Sequence, residues 1–206
     1  MNQLLIATSN KGKVKEFRAL LDDLKIELVT PADIHLSLDV HEDGKTYAEN
    51  ATKKAIAFRR ASGLISLADD SGLEADALNG APGLFSARYS SKPGASDADR
   101  RTFLLQSLRD KPRPWTARFR ATIAIAVSEN EIQLVEGECQ GEIIPEERGT
   151  NGFGYDPIFL IPELNRTMAE LEMGEKNRLS HRARAILNAK PILAKIFGLQ
   201  SNSSHK

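Results

Sequence analysis

Two hydrophobic periods succeed one another along this chain. Residues 3–8, QLLIAT, form a short apolar run that predicts a buried strand. Over 12–23, Val14, Phe17, Leu20 and Leu21 recur at helical spacing and share one face. Ile26, Leu28 and Val29 predict a second strand, so the chain opens as β-α-β. A polar loop over 31–45 leads to a helix over about 46–61, with Thr46 as N-cap, Glu49 completing a capping box and Gly63 closing it. The run from Leu64 predicts a strand that ends at Asp69 and Asp70, where Ser71-Gly72 begins a turn.

Farther on, Gly, Pro and Ser make 80–94 a loop, and 97–109 read as a helix. Residues 117–127 and 131–137 read as a hairpin turning at 128–130, and Gly141 and Pro145 break the segment after it. A Gly-rich loop in 149–162 opens into an apolar strand. An amphipathic helix over 180–197 begins at Ser180 and is kinked or divided by Pro191. There is neither an internal repeat nor a long linker. The pattern predicts one mixed α/β domain over 1–200, open to a two-lobed arrangement around a cleft, with 201–206 as a disordered tail.

Composition narrows the function more than the fold. The 206 residues are 41% hydrophobic and 27% charged, an ordinary globular balance. Lys+Arg and Asp+Glu are both 28, so the net charge is zero. Long-range attraction to nucleic acid or to a membrane surface is therefore not expected, although a local basic cleft for a small anion is compatible with it. The single Cys139 excludes an intrachain disulfide framework and a thiol-rich zinc site, and suits a reducing cytosol. No apolar stretch has the length of a membrane span, and MNQLLIATSN lacks the pattern of a signal peptide, so a cytoplasmic location is expected.

Candidate chemistry lies in five places. TSNKGK, at a strand-to-helix junction, would present backbone N–H groups with the helix dipole behind them, an arrangement that suits phosphate. Thr8, Ser9 and Asn10 add neutral hydrogen bonds, Lys11 and Lys13 add charge, and Gly12 lies between them; the plainer alternative is a turn capped by Asn10 or Ser9. Asp69 and Asp70 would face a ligand crevice from a strand end, with Glu42 as a third carboxylate. An all-oxygen set suits Mg²⁺, which takes one or two carboxylates together with phosphate. Alternatively, the two Asp form an Asx-turn and Glu42 is solvated. Of two adjacent lysines, Lys53 is placed to pair with Glu49, which leaves Lys54 freer to reach a phosphate. In GFGYDP, Phe153 could stack on a base and Asp156 could accept from ring N–H groups, or Phe153 could belong to a core. His181 and Arg182 open the last helix, the less favourable end for cations, with Lys176 just upstream; a carbonyl-rich or anionic partner would explain them, as would an ordinary basic face.

Taken in order, these segments resemble the Ham1/RdgB-type inosine triphosphatase family. The T-x-N-x-x-K motif falls on Thr8, Asn10 and Lys13, and E-x-G-x-T-[FY]-x-E-N-A on Glu42 to Ala51. D-D-S-G-L is Asp69 to Leu73, and P-G-x-x-S-A-R-Y is Pro82 to Tyr89. G-F-G-Y-D-P-[IV]-F is Gly152 to Phe159, and S-H-R is Ser180 to Arg182. The likeness runs from Leu4 to about Leu187. Tyr47 stands where Phe is commoner, a difference of packing.

The resemblance implies an elongated mixed sheet with flanking helices and two lobes around a nucleotide cleft. It also implies a Mg²⁺-dependent homodimer that hydrolyses ITP, dITP and XTP to the monophosphate and pyrophosphate. In that reading Lys13 and Lys54 meet the phosphates, with the backbone after Thr8 around them. Glu42 and Asp70 hold Mg²⁺, Asp70 orients or deprotonates water, and Ser71 touches the substrate. The loop with Phe153, Gly154, Tyr155 and Asp156, together with Lys176, His181 and Arg182, receives the base. Two competitors are a septum-formation-inhibitor-type nucleotide pyrophosphatase and a non-catalytic nucleotide-binding regulator. SHR and GFGYDP favour the purine family over the first, and the intact carboxylates argue against the second.

Overall fold

A computed structural model describes residues 2–199; the tail expected over 201–206 lies outside them. Seven strands form one mixed sheet in the order β2-β1-β3-β4-β5-β6-β7. They are β1 (Gln3–Ile6), β2 (Glu27–Val29), β3 (Ile65–Ala75), β4 (Trp115–Ala126), β5 (Ile132–Ile143), β6 (Phe159–Ile161) and β7 (Arg166–Thr167). β1 runs parallel to β2 and β3, whereas β5, β6 and β7 pair antiparallel. The helices are α1 (Lys11–Leu21), α2 (Tyr47–Ser62), α3 (Asp97–Leu108), α4 (Met173–Leu179) and α5 (His181–Ile196). The mixed α/β class and the β-α-β opening match the sequence pattern.

The chain divides into two compact units. The first contains the residues through Asp69, then Thr122–Glu136, then the chain from Ala185. Its core gathers Leu5, Val29, Ala68, Ala124 and Ala126 from strands and Ala7 just past β1 with Ala51, Ala55 and Phe58 of α2. The spacing 51, 55, 58 is a helical stripe, and its two alanines allow the helix to lie close to its neighbours. The second unit contains Asp70–Ala121 and Gly137–Arg184. Its core is larger in side-chain volume, with Leu73, Leu104, Leu108, Trp115, Phe119, Tyr155, Phe159 and Met168 among its members. The Phe119 and Phe159 rings lie 4.5 Å apart.

Several elements differ from the pattern. β3 does not stop at Asp69: it runs through Asp-Asp-Ser-Gly to Ala75. Asp69 is held inside the strand by Lys13, a partner too distant in sequence for periodicity to register. Gly141 does not break β5. A Cβ there would stand 2.4 Å from the Leu160 carbonyl and 2.6 Å from the Phe159 ring, so its bare backbone permits the close approach of β6. The loop at 80–94 contains a 3₁₀ stretch over Gly83–Arg88, and α4 is a helix that the pattern does not predict. α5 continues undivided through Pro191. Thr46 caps α2 as expected, but the Glu49 carboxylate accepts from the Lys45 N–H at 2.7 Å, one residue short of a closed capping box.

Gly141→Val should force apart Phe159 and Leu160 and cost about 1–3 kcal/mol of stability. Urea unfolding would read this as a lower midpoint at unchanged slope; a midpoint equal to wild type would contradict the packing described.

Candidate active site

In the first unit, Asn10 caps α1: its Oδ1 accepts from the Lys13 N–H at 3.1 Å, and Thr8 Oγ1 accepts from the Asn10 N–H at 3.2 Å. The plainer reading of TSNKGK is thus realised locally, and Lys11 and Gly12 form the first turn. The capped turn also aims Lys13, whose Nζ lies 2.9 Å from Asp69 Oδ1 with 16% of the side chain exposed. Lys54, on α2, pairs with Glu42 and donates to the Asp69 carbonyl at 3.2 Å. Lys53 turns outward to Asp43, so the expected pair with Glu49 does not form. The separation of the two lysines is as expected, because about 100° of helical rotation sends them to different surroundings. The loop bearing Glu42 is tied to α2 where the Gly44 N–H donates to Asn50 Oδ1 at 2.7 Å; Asn50 is buried.

Asp69 and Asp70 are 1% and 8% exposed. They are consecutive residues of an extended strand and point to opposite faces. Asp69 faces Lys13, which makes a buried carboxylate tolerable in mid-strand. Asp70 Oδ1 accepts from the N–H of its neighbour Ser71 at 3.0 Å, within a strand, a shorter reach than the two residues of the expected Asx-turn. No group of three or more His, Cys, Asp and Glu among the described residues is arranged to hold a metal unaided. Glu42 and Asp70 each offer carboxylate oxygen, the donor type that Mg²⁺ takes together with water and phosphate.

In the second unit, Lys176 Nζ donates to Asp156 Oδ2 at 2.6 Å, with side chains 7% and 5% exposed. The same oxygen accepts from the Phe153 N–H at 2.9 Å, so Asp156 fastens its own loop. Phe153 is half-buried. Lys176 Nζ lies 5.0 Å and the Arg182 guanidinium carbon 5.8 Å from its ring centroid, a doubled cation–π contact in place of a core position. Arg182, 2% exposed, donates from Nη2 to Ser71 Oγ at 3.0 Å. His181 stacks on Phe119 at 4.8 Å and 13°. Ser180 Oγ accepts from the Ala183 N–H at 3.2 Å and caps α5 as predicted. Tyr155 is turned into the core, its hydroxyl donating to the Ser86 carbonyl at 2.8 Å; burial pushes its pKa well above the ordinary phenol value. Lys176, Arg182, Ser71 and Phe153 are thus joined by a continuous chain of contacts.

A sequence model of the Ham1 family matches residues 4–192. The chain belongs to the Ham1 family. The dITP/XTP pyrophosphatase of Desulforamulus reducens is 46% identical over 196 residues, 95% of this chain and 97% of that one. The protein of the same name from Bacillus licheniformis is 42% identical, covering 94% of this chain and 98% of its own. Among solved structures, a Ham1 protein from Coxiella burnetii superposes with a TM-score of 0.86 at 41% identity, covering 95% of this chain and 100% of that one. The Staphylococcus aureus Ham1 protein gives 0.81 at 36% identity, with 96% and 100% covered.

Within this Ham1 fold the hydrophobic pattern missed Phe119, Asp97 and Arg101, and Asn50 entered the sequence reading only as a position of the E-x-G-x-T-[FY]-x-E-N-A motif. Asn50 falls inside a helix and Phe119 inside a strand, where periodicity assigns them to ordinary packing. Asp97 and Arg101 fall in the first turns of α3, where charged residues are unremarked. None carries a local signal of its tertiary contacts.

Lys176→Met should remove the Lys176 charge from beside the buried Asp156 carboxylate and cost about 3–5 kcal/mol. Adding Asp156→Asn to that variant should recover part of the loss, because a neutral amide needs no counter-charge. Urea midpoints of the wild type, the single and the double variant test this; equal midpoints for wild type and Lys176→Met would refute it.

Proposed function

We propose that the protein hydrolyses deaminated purine nucleoside triphosphates, dITP, ITP and XTP, to the monophosphate and pyrophosphate, with Mg²⁺ as cofactor. The observation that carries the proposal is the pairing of lysines with carboxylates around Asp69. Lys13 holds Asp69, and Lys54 holds Glu42 and the Asp69 carbonyl. A triphosphate tail brings more negative charge than either carboxylate. On its arrival the lysines exchange carboxylate for phosphate, which releases Asp69 and Glu42. The names of the relatives agree with this chemistry.

Mg²⁺, where bound, would be held by Glu42 and Asp70 and would supply neutralisation of phosphate charge. The remaining work belongs to the chain. Lys13, Lys54, Asn10 and the backbone of Ser9 to Gly12 orient the phosphates. Asp70 aligns a water and accepts its proton as the oxygen attacks the α-phosphorus. The bond from that phosphorus to the bridging oxygen breaks, and pyrophosphate leaves with the electron pair.

Base selection falls to the second group. Hypoxanthine and xanthine carry a carbonyl at position 6, which accepts from Arg182, His181 or Lys176; adenine places an amino group there. A buried donor facing a donor costs about 1–3 kcal/mol, and sites built on such bonds discriminate strongly. Phe153, backed by two cations, presents its ring to the purine. Removing such triphosphates from the precursor pool would keep deaminated bases out of DNA and RNA.

A panel of ITP, dITP, XTP, GTP and ATP with pyrophosphate detection tests the activity; turnover of ATP equal to ITP would defeat it. Asp70→Asn should lower kcat by at least about 100-fold, whereas wild-type turnover would remove Asp70 from its role. Arg182→Ala should shrink the ITP-over-ATP ratio by about tenfold or more, and an unchanged ratio would overturn its assignment. The charge exchange has a separate readout: Lys54→Met should bind Mg²⁺ alone more tightly than wild type by calorimetry, because Glu42 is no longer claimed. Equal or weaker binding contradicts the exchange.

A further inference from the structure

We propose that the first turns of α3 are a positioning device for the loop 152–157, with Asp97 and Arg101 gripping the backbone of Gly154 and thereby setting where Phe153 stands. The proposal rests on the assignment of Phe153 to the purine. Asp97 Oδ2 accepts from the Gly154 N–H at 2.8 Å, and Arg101 Nη1 donates to the Gly154 carbonyl at 2.9 Å. Both polar groups of one peptide residue are therefore taken by side chains of one helix, 57 and 53 residues away in sequence. A side chain pair that clasps both ends of one residue fixes its orientation as well as its place.

Each member of the grip is itself held. Arg101 makes a two-pronged contact with Glu147, Nε and Nη2 both at 2.8 Å from its carboxylate oxygens. Asp97 is ion-paired with Arg100. Burial alone would raise the Asp97 pKa, but the bonds from Arg100 and Gly154 and the charges of Arg100 and Arg101 hold it below the ordinary carboxylate value, so the grip stays ionised at neutral pH. Ser96 Oγ accepts from the Asp99 N–H, and Asp99 returns a bond to Ser96, so the helix end that presents these residues is closed by a capping box.

The loop needs such a hold. It has no ladder partner of its own: 151–155 are bends and turns, and Gly154 sits at φ +62, where a side chain would be strained. Asp156 fastens Phe153 from one side through its N–H, and Tyr155 reaches Ser86. The α3 grip closes on the residue between Phe153 and Tyr155. A ring that must stack on a base gains from having its backbone fixed before the base arrives.

The test uses the full chain with Asp97→Ala and Arg101→Met, and Arg182→Ala as the reference for base recognition. Asp97→Ala should raise KM for ITP about tenfold with kcat within about twofold, the mark of lost binding without lost chemistry. Its Gly154 amide should exchange with solvent at least about tenfold faster in the ligand-free protein. Arg101→Met should show the same KM change, and Arg101→Lys should recover only part of it, since an ammonium cannot hold Glu147 and the carbonyl with one planar fork. Wild-type KM together with wild-type Gly154 exchange in Asp97→Ala overturns the proposal. A change confined to a lower unfolding midpoint, with KM and exchange unmoved, also overturns it. If Arg182→Ala leaves base preference untouched while Gly154 exchange in Asp97→Ala accelerates, the grip stands and the purine assignment fails.

Discussion

A carboxylate in the middle of a central strand survives only beside a cation, and Asp69 with Lys13 is that arrangement here. Asp69 is nearly inaccessible, and Lys13 Nζ stands 2.9 Å from it. Lys13 offsets much of the cost of that burial, because taking a carboxylate out of water costs several kcal/mol. Lys13 in turn is placed by the first turn of α1, which Asn10 caps. The N-terminal motif and the acidic motif, more than fifty residues apart, are therefore one electrostatic object. The pair explains why β3 continues through residues that read as a strand end, and why the next carboxylate, Asp70, is presented on the opposite face.

The two groups of polar side chains follow different logic. In the first unit, cations and carboxylates neutralise one another, Lys13 with Asp69 and Lys54 with Glu42. In the second unit the buried cations Lys176 and Arg182 are steadied by Asp156, by Ser71 and by the face of Phe153. Those contacts are a carboxylate, a hydroxyl and a π-surface. Under the proposed function, the lysine–carboxylate pairs would exchange for a polyanion, and the second group of donors would read a neutral carbonyl. Covalent continuity links the two groups, since Asp69, Asp70 and Ser71 are successive residues of one strand.

Much of the fold was legible in the sequence because it rests on local period. The apolar stripe Phe17, Leu20, Leu21 and the caps at Thr46 and Ser180 belong to single elements, and the structure contains them. The motif residues were legible as chemical types in order, and the comparisons bear out the family they indicate. What could not be read depended on partners far along the chain. Gly141 looks like a breaker until the Phe159 ring is seen where its Cβ would be. Helical spacing points Lys53 at Glu49, but the preceding loop folds back and brings Asp43 to it instead. Residues 163–179 fold into short turns, a two-residue strand and a seven-residue helix, elements too brief for any period to register.

The loops that carry the candidate side chains are fastened in this protein by side chains that grip backbone, rather than by ladders. Asn50 grips Gly44 beside Glu42, Asp156 grips Phe153, and Asp97 with Arg101 grips Gly154. Each grip costs ordering of one or two side chains and in return satisfies peptide groups that a loop would otherwise leave to water. A ladder would fix the same backbone, but it would also flatten the loop and alternate its side chains between two faces. Gripping leaves the loop free to take left-handed backbone, as at Gly154, and so to offer consecutive residues to different purposes. Phe153 lies on cations, Tyr155 enters the core and Asp156 binds Lys176, three destinations within four residues that no strand could supply.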